Sequence, residues 1–330
     1  MNYIGSKLKL SAFLTTTITD TVGRLDDKVF CDIFAGTGIV GRVFKPLVKS
    51  VISNDIEHYS YVLNRNYIGN YTPFDFHHLF NELSDIESKE GFIFEQYSLN
   101  GQAGRQYFSE ENGKKIDAIR EKIDEWKSNS IISEDQYYFL LASLIESADK
   151  IANTASVYGA FLKQLKKSAQ KELNFVPASF DPVGENHRVY NEDANELIRK
   201  IKGDILYMDP PYNQRHYGAN YHLLNTISLN DRFDPKGKTG LREYGKSEYC
   251  QQRKVKHSFE DLIRNADFKY IFLSYNNEGL MSEDEVKEIM QKYGEYSLAT
   301  TNYQRFKADK TENRTHKADS TLEYLHILKK

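Results

Sequence analysis

Apolar residues alternate along the first part of this chain between short continuous runs and longer stripes at helical spacing. Two short runs predict buried strands, at residues 28–35 and 49–56. Three stretches with apolar positions three and four residues apart predict helices, at 7–22, 39–48 and 58–69. Ser6 is the expected cap of the first helix. Strand and helix alternate as they do at the start of a doubly wound parallel sheet.

The middle of the chain has a different pattern, because residues 75–175 contain no convincing pair of strands. One helical face is formed by Ile116, Ile119, Ile123 and Trp126. A second helix is predicted from Ser133, where Gln136 completes a capping box. Residues 73–186 are therefore expected to form a mainly helical insertion.

The strand and helix alternation resumes after residue 186. Strands are predicted at 188–193, 204–209 and 269–277, and an edge strand at 320–330. Helices are predicted at 194–201 and 282–294, the second with Ser282 and Glu285 as a capping box. Residues 1–72 and 187–330 are thus expected to form one α/β domain interrupted by the helical insertion.

The amino-acid composition restricts the partners and the cellular compartment expected for this protein. The 330 residues carry 44 Lys plus Arg against 47 Asp plus Glu, so no polybasic coat covers the protein, although a local basic cleft is compatible with this balance. Two cysteines, no signal-peptide pattern and no long apolar run predict a soluble protein of the reducing cytoplasm. The 23 tyrosines and 19 phenylalanines offer rings for base stacking, but ordinary packing at core and half-buried positions accounts better for any one tyrosine.

The first predicted strand ends in "DIFAGTGIVG", whose glycines Gly36, Gly38 and Gly41 have the spacing G-x-G-x-x-G. Asp55 follows at the end of the second strand, where ligands of α/β sheets bind. A carboxylate there accepts hydrogen bonds from two ribose hydroxyls. Because a nicotinamide dinucleotide and S-adenosylmethionine share that adenosine, these residues alone do not separate a dehydrogenase from a methyltransferase.

The third strand ends in Asp209, Pro210, Pro211 and Tyr212, the tetrapeptide "DPPY". Two prolines remove two backbone donors and stop the strand abruptly. A carboxylate, a rigid carbonyl and an aromatic ring then form a surface of acceptors, which fits a primary amine on a flat ring. No Tyr-x-x-x-Lys or His/Asp dehydrogenase pattern lies nearby, so these residues favour methyl transfer over hydride transfer.

"DIFAGTG" together with "DPPY" resembles the S-adenosylmethionine-dependent DNA adenine-N6 methyltransferases, and "NYIGSK" ahead of the glycine turn resembles the motif order of their alpha group. The stretch after Tyr212 and the tail "HKADSTLEYLHIL" are similar to restriction-modification members. The resemblance covers most of residues 1–72 and 187–330. It implies a Rossmann-like methyltransferase sheet and a site-specific, adenine-specific DNA-methyltransferase.

The resemblance also implies the roles of individual residues. The expected contacts to S-adenosylmethionine are Tyr3, Lys7, Asp32, Phe34, Gly36, Gly38, Asp55, Asp193 and Asp209. Tyr3 and Lys7 match the motif at the methionine end, Asp55 the ribose-binding acid and Asp193 the acid near the cofactor's adenine. Asp209, Pro210, Pro211 and Tyr212 match the catalytic tetrapeptide. No metal is expected.

The expected reaction is direct attack of a flipped-out adenine amine on the sulfonium methyl. The expected partners are double-stranded DNA, methylated by a monomer with the insertion as recognition domain, and a cognate restriction endonuclease. Lys163, Lys166 and Lys167 either grip phosphates or form a solvated helix face. The segment 230–257 is a better candidate for phosphate contacts, with its cations at Arg232, Lys236, Lys238, Arg242, Lys246, Arg253, Lys254 and Lys256. Cys31 and Cys250 lack the preceding proline of cytosine methylases.

Overall fold

The structure, a computed structural model, describes residues 5–70, 72–214, 216–304 and 320–330. Contacts between Cα atoms divide these ranges into two compact units. The sheet unit contains the described residues of 5–64, 183–216 and 246–330, and the helical unit contains those of 65–182 and 217–245. The described residues of each unit are considered separately below.

Strands of the described residues join in one seven-stranded sheet. They are β1 (Val29–Asp32), β2 (Ser50–Asn54), β3 (Arg188–Tyr190), β4 (Lys202–Met208), β5 (Asp267–Asn276), β6 (Glu295–Gln304) and β7 (Ser320–Lys329). Their order across the sheet is β3-β2-β1-β4-β5-β7-β6, parallel from β3 to β5, with β7 antiparallel to both of its neighbours. This Rossmann-like sheet confirms the predicted fold class.

Helices are numbered along the chain. Those of the sheet unit are α1 (Ser11–Val22), α2 (Ile39–Phe44), α3 (His58–Asn64), α8 (Ala194–Leu197), α11 (Val255–Asn265) and α12 (Glu283–Gln291). Those of the helical unit are α4 (His77–Asp85), α5 (Phe92–Tyr97), α6 (Glu110–Ser128), α7 (Glu134–Ile151), α9 (Tyr217–Asn220) and α10 (His222–Leu229). A π-helical turn spans Arg65–Gly69, and short 3-10 turns precede α1 and α11.

The central strands are continuous apolar runs because parallel strands are covered on both faces. Phe30 of β1 is fully buried and lies in register with Ile205 of β4 and Val51 of β2. The three strands run in the same direction, so their carboxyl ends meet at one edge of the sheet. Asp32, Asp55 and Asp209 all lie at or just beyond those ends.

The prediction of an edge strand at 320–330 is wrong, because β7 lies between β5 and β6. Its buried residues Leu325 and Ile327 alternate along one face, as expected of an interior strand. The edge strand is β6, which the sequence pattern did not predict. Its segment "EYSLATTNYQ" is mostly polar or small, and its pairing with β7 is a long-range interaction.

The first helix also begins later than predicted. A 3-10 turn at Leu8–Leu10 precedes α1, and α1 has no side-chain cap. Ser6 therefore does not cap it; instead, the Ser11 hydroxyl donates to the carbonyl of Leu8 at 2.8 Å. Lys7 therefore lies in irregular backbone ahead of α1 and is not part of that helix.

The helical unit forms around α6 and α7. The capping box at α7 is confirmed: the amide of Gln136 donates to the Ser133 hydroxyl at 3.2 Å, and the amide of Ser133 donates to the Gln136 side chain at 2.9 Å. The predicted apolar stripe of α6 is buried, at Ile116, Ile119, Ile123 and Trp126. Local pattern and observed structure agree here because both helices are strongly periodic.

The helical unit differs from the range 73–186, since it also contains the described residues of 65–72 and 217–245. Arg120 of α6 explains part of the difference: its buried guanidinium donates to the carbonyls of Ile227 at 2.8 Å and Ser228 at 3.1 Å, at the end of α10. The Tyr97 hydroxyl likewise donates to the carbonyl of Gly240 at 2.6 Å. These bonds tie a segment distant in sequence to α5 and α6.

The lysine-rich segment after α7 is not helical, so the alternative of a solvated helix face is wrong. Asn153 organises it as a loop. The Asn153 amide donates to the carbonyls of Gln106 at 2.9 Å and Leu162 at 3.0 Å, and its oxygen accepts from the backbone of Lys166 at 3.0 Å. A side chain that satisfies the backbone in this way competes with helix formation.

Candidate active site

Two glycines shape the turn between β1 and α2. Gly36 has a φ of +53° and Gly38 a φ of +76°, in the left-handed region that favours glycine. The amide of Gly38 donates to the carbonyl of Ala35 at 2.8 Å, which closes the turn. Gly41 instead lies buried within α2. Only the first two glycines of the G-x-G-x-x-G spacing therefore form the turn itself.

Asn54 and Asn64 hold the turn in place. The Asn54 amide donates to the carbonyl of Ile33 after β1 and to that of Glu192 after β3, each at 3.1 Å. The Asn64 amide donates to the carbonyl of Gly36 at 3.0 Å from the end of α3. Both asparagines are buried, so these bonds fix the carboxyl ends of neighbouring strands relative to one another.

Asp55 lies beside the turn, as its position after β2 predicts. One carboxylate oxygen accepts from the amide of Gly36 at 2.8 Å and the other from the amide of Glu57 at 2.9 Å. Burial raises the pKa of Asp55 to about 6 in spite of these two bonds. Each oxygen retains a lone pair, so the carboxylate can still accept from a ligand.

Asp32 is the last residue of β1, and its side chain is almost completely buried. Its Oδ1 atom has no hydrogen-bond partner among the described residues. Burial, together with the nearby carboxylates of Asp209 and Asp55, raises the pKa of Asp32 well above its ordinary value. Asp32 thus presents an unsatisfied acceptor next to the glycine turn.

Asp209 follows the last residue of β4 and precedes Pro210 and Pro211. Its side chain is 17% exposed, and burial raises its pKa to about 6. The ammonium of Lys7 lies 3.2 Å from Asp209 Oδ1 and opposes that increase. The carboxylate of the tetrapeptide is therefore paired with a cation that precedes the first helix.

Lys7 contacts a second carboxylate as well. Its ammonium lies 3.5 Å from Oε2 of Glu323 on β7, and both side chains are less than a tenth exposed. Burial alone lowers the pKa of Lys7, but the carboxylates of Asp209 and Glu323 hold that pKa above its usual value. The buried ammonium of Lys7 thus lies between two carboxylates, those of Asp209 and Glu323.

Aromatic rings flank these groups. Tyr212 is half-buried, packs edge-on against Tyr275 with ring centroids 6.4 Å apart, and has Lys7 Nζ 5.9 Å from its ring centroid. The carbonyl of Tyr212 accepts from the amide of Leu280 at 3.1 Å, which anchors the residue after the prolines. Phe34 is half-buried and edge-on to Tyr249, with centroids 4.9 Å apart.

Two residues that were expected to contact the cofactor, Asp193 and Tyr3, are not among the site contacts described above. Asp193 is exposed and caps α8, with one carboxylate oxygen accepting from the amides of Asn195 at 2.8 Å and Glu196 at 3.2 Å. A contact to the cofactor's adenine stays a prediction for this residue. Tyr3 lies outside the described residues.

The cations of segment 230–257 are partly neutralised. Four of the eight form ion pairs: Lys236 with Asp234, Arg242 with Asp231, Lys254 with Glu248 and Lys256 with Glu285. The segment is also not one loop, because it contains a 3-10 turn and the start of α11. Of the other lysines, Lys163 and Lys167 are exposed, whereas Lys166 is half-buried and donates to the carbonyl of Thr154 at 2.7 Å.

Glu323 and Asn64 are two site residues that the sequence did not predict. Glu323 had a local signal, since it shares one face of β7 with buried Leu325 and Ile327. An acid at a core position indicates a partner or a function. Asn64 had no such signal, because its importance arises from where α3 packs.

In the described part of the chain, no group of three or more His, Cys, Asp or Glu side chains is arranged to hold a metal ion. Both cysteines, Cys31 and Cys250, are buried, and neither forms a disulfide. Within the same ranges, no helix combines the length and apolar character needed to cross a membrane.

Known proteins carry the same sequence pattern. The family model of D12 class N6 adenine-specific DNA methyltransferases matches residues 3–289. The chain is 64% identical over 332 residues to the Type II methyltransferase M.NlaIII of Neisseria lactamica, covering 100% of this chain and 99% of that protein. It is 40% identical over 316 residues to the Type II methyltransferase M.CviAII of Paramecium bursaria Chlorella virus 1, with 93% of each chain covered.

A third relative is longer than this chain. The Type II methyltransferase M.FokI of Planomicrobium okeanokoites is 40% identical over 350 residues, which cover 100% of this chain and 53% of that protein. The matched region of the family model includes the glycine turn, Asp55 and the "DPPY" tetrapeptide at the strand ends described above. On this evidence, the chain belongs to the family of D12 class N6 adenine-specific DNA methyltransferases.

Proposed function

We propose that this chain transfers a methyl group from S-adenosylmethionine to the exocyclic N6 amine of adenine at specific sites in double-stranded DNA. The observation that carries the proposal is the position of Asp209: a largely buried carboxylate at the carboxyl end of β4, followed by two prolines and the half-buried ring of Tyr212. Buried carboxylates are costly unless they have a task or a partner.

The tetrapeptide suits an aromatic amine. Pro210 and Pro211 contribute carbonyls but no N–H donors, so the surface beside Asp209 offers acceptors to the two hydrogens of N6. Tyr212 offers a ring face for stacking on the base. Two accepted hydrogen bonds favour a tetrahedral nitrogen with a localised lone pair, and fixed acceptors stabilise the positive charge that develops there.

The residues at the strand ends fit S-adenosylmethionine. Its ammonium, ribose hydroxyls and adenine amine are all donors, and Asp32, with its buried unpaired oxygen, and Asp55 supply acceptors beside a glycine turn. Lys7, Phe34 and Asp193 are further candidates for contacts. When bound, S-adenosylmethionine supplies an electrophilic methyl group for direct in-line attack.

Asp209 has two tasks in sequence. Its carboxylate first accepts a hydrogen bond from N6, and it then takes the proton that becomes acidic as the nitrogen gains the methyl group. A weak base suffices for the second task, and a pKa of about 6 leaves Asp209 ionised at neutral pH. No covalent enzyme intermediate is needed.

Adenine within a duplex cannot reach a buried carboxylate, so the target base must be flipped out of the helix. We assign recognition of the flanking DNA to the helical unit. Its support is a 490 Å³ cavity lined by Lys150, Lys166, Thr154, Ser156 and Ser168 together with Asp149. Lys163 and Lys167 are exposed in the same loop. Such cations bind DNA phosphates without distinguishing between base sequences.

The names of the relatives favour a Type II restriction-modification setting. We infer that this enzyme protects DNA against a cognate endonuclease, that it acts as a cytoplasmic monomer, and that it methylates one strand at a time. The enzyme class that corresponds is a site-specific, adenine-specific DNA-methyltransferase.

The test is to incubate the full chain with methyl-labelled S-adenosylmethionine and unmethylated plasmid DNA, and then to identify the labelled base after digestion. We expect label in N6-methyladenine and none with Asp209→Ala protein, which should still bind cofactor. Label in RNA, in protein or in cytosine would contradict the proposal, as would full activity of the variant.

A further inference from the structure

Lys7, Asp209 and Glu323 form a buried charged triad in the sheet unit. The ammonium lies 3.2 Å from Asp209 Oδ1 and 3.5 Å from Glu323 Oε2. With both acids ionised, one positive charge is shared by two negative charges. Burying a second carboxylate here costs free energy that the amine-binding role of Asp209 does not explain.

Glu323 is the most rigidly placed member of the triad. It lies within the ladder of β7, in register with Asn276 of β5 and Thr301 of β6, so its backbone is paired on both sides. Lys7 precedes α1 in irregular backbone and has a long flexible side chain. Of the two ends of this ion pair, the glutamate is therefore the anchor and the lysine is the part that is held.

We propose that Glu323 is a positioning residue, which shares the Lys7 ammonium with Asp209 and so limits how strongly Lys7 pairs with Asp209 when Asp209 meets the adenine amine. The inference rests on the proposed function, because it assigns the amine to Asp209. It adds a residue from β7 to the machinery for methyl transfer.

The geometry gives Glu323 a definite task. The Asp209 oxygen that contacts Lys7 is buried, so an incoming amine meets the other oxygen of the same carboxylate. When N6 of adenine binds the Asp209 carboxylate, the Lys7 ammonium interacts with that carboxylate less strongly. The ammonium then stays paired only if a second acid lies close to it. Glu323 is that acid, so Lys7 can loosen its contact with Asp209 without becoming an unpaired buried charge.

The triad also controls the ionisation of Asp209. The groups that influence its carboxylate are the cation Lys7, the acids Glu323 on β7 and Asp32 on β1, and the phenols Tyr207 on β4 and Tyr212. Lys7 favours the ionised form of Asp209, and Glu323 disfavours it. Neutralising either neighbour should therefore move the acidic limb of the pH–rate profile, in opposite directions.

The experiment measures single-turnover methylation of unmethylated plasmid DNA against pH, at saturating S-adenosylmethionine and with enzyme in excess. We expect Glu323→Gln to move the acidic midpoint down by about one pH unit and Lys7→Met to move it up by a similar amount. Glu323→Asp keeps the charge but shortens the reach. It should leave the midpoint near that of the parent and lower the rate several-fold.

The matched control is Glu295→Gln, an exposed carboxylate on β6 that lies in register with Lys329. It is six residues from Thr301 along the strand, or about 20 Å from the triad, and should leave rate and midpoint unchanged. A parental midpoint in Glu323→Gln, or an upward shift, overturns the inference even if the rate falls.

If Glu323→Gln does not fold, as judged by circular dichroism, Glu323→Asp decides: a parental rate in that variant overturns the inference. The proposed function fails separately, if the parent enzyme makes no N6-methyladenine. A parent that makes it, with unmoved variant profiles, refutes only the role of Glu323.

Discussion

Asn64 occupies the space that a side chain at Gly38 would need. Its Oδ1 atom lies 2.7 Å from the ideal position of a Cβ atom on Gly38 and accepts from the Ser53 hydroxyl at 2.7 Å. The amide of the same side chain donates to the carbonyl of Gly36. The end of α3 is therefore locked against the glycine turn, and the absence of a side chain at Gly38 is required twice, by φ and by space.

Replacing Gly38 with alanine should damage both stability and cofactor binding. The new Cβ would have a positive φ and would displace the Asn64 oxygen from its buried hydrogen bond. We expect a loss of about 2–4 kcal/mol in the free energy of unfolding, from strain and a broken buried bond. Affinity for S-adenosylmethionine should fall at least about tenfold, since 1.4 kcal/mol of binding energy corresponds to that factor. Urea unfolding and isothermal titration calorimetry measure the two effects.

Gly104→Ala is the matched control for that change. Gly104 has a φ of +62°, but nothing lies within 4 Å of its ideal Cβ position. This variant carries the backbone strain without the collision, so it should cost about 1 kcal/mol of stability and leave cofactor affinity unchanged. Equal losses in the two alanine variants would show that the contact with Asn64 has no energetic weight.

Asp55→Asn should weaken the turn because both oxygens of Asp55 accept from backbone amides. An asparagine has one oxygen and must turn its NH2 group toward a second donor, which leaves a donor unsatisfied. We expect a loss of about 1–3 kcal/mol in the free energy of unfolding and weaker binding of S-adenosylmethionine.

Asp193→Asn is the corresponding control for stability. Here one oxygen accepts from both amides at the start of α8, which an asparagine reproduces, and the two residues are comparable helix caps. Its free energy of unfolding should change by less than about 0.5 kcal/mol. If calorimetry showed similar stability for both variants, the two-oxygen role of Asp55 would be refuted.

The rate of methyl transfer should depend on the ionisation of Asp209. Its pKa is raised from 3.8 to about 6, and only the ionised form can take the proton that the amine loses. At saturating cofactor, the single-turnover rate should therefore rise tenfold per pH unit below about pH 6 and become level above it. The pKa of Asp55 is also raised to about 6, so cofactor affinity must be measured separately over the same range. A level rate down to pH 5 at saturating cofactor contradicts this role.

Lys163 and Lys167 should contribute to DNA affinity without affecting the cofactor. Both are exposed in the loop after α7, and a lysine that neutralises one phosphate adds about one to the slope of log affinity against log salt. The double alanine variant should lower that slope by about two and leave calorimetric binding of S-adenosylmethionine unchanged. Lys287→Ala, on the exposed face of α12, is the control and should leave the slope as it is. An unchanged slope in the double variant would remove this loop from the DNA interface.

Local sequence pattern predicted the parts of the molecule that local forces determine. The parallel strands that carry Asp32, Asp55 and Asp209 are short apolar runs, and the capping boxes at Ser133 and Ser282 are present as predicted. The positions of these acids at one edge of the sheet follow from parallel pairing alone. The sequence pattern alone therefore predicts their placement.

The features that the sequence did not predict depend on contacts between segments that are distant along the chain. Nothing near Lys7 in the sequence indicates that Glu323 will lie beside it, and the polar strand β6 acquires its structure only by pairing with β7. A solvated helix face was one of the two interpretations of the lysines after α7, but Asn153 satisfies the backbone there in another way. Tertiary context overrides local preference in each case.

The position of β7 between β5 and β6 also has a consequence for biosynthesis. Among the described strands, β6 pairs with β7 alone. Because β7 follows β6 in the sequence, β6 emerges from the ribosome before its partner strand exists. Lys7 and Asp209 are likewise translated long before Glu323, the second acid of the triad. A growing chain that has just exposed β6 therefore still lacks Glu323 and the central pairing of its sheet, and methylation activity should appear only after the β7 segment has emerged and inserted between β5 and β6.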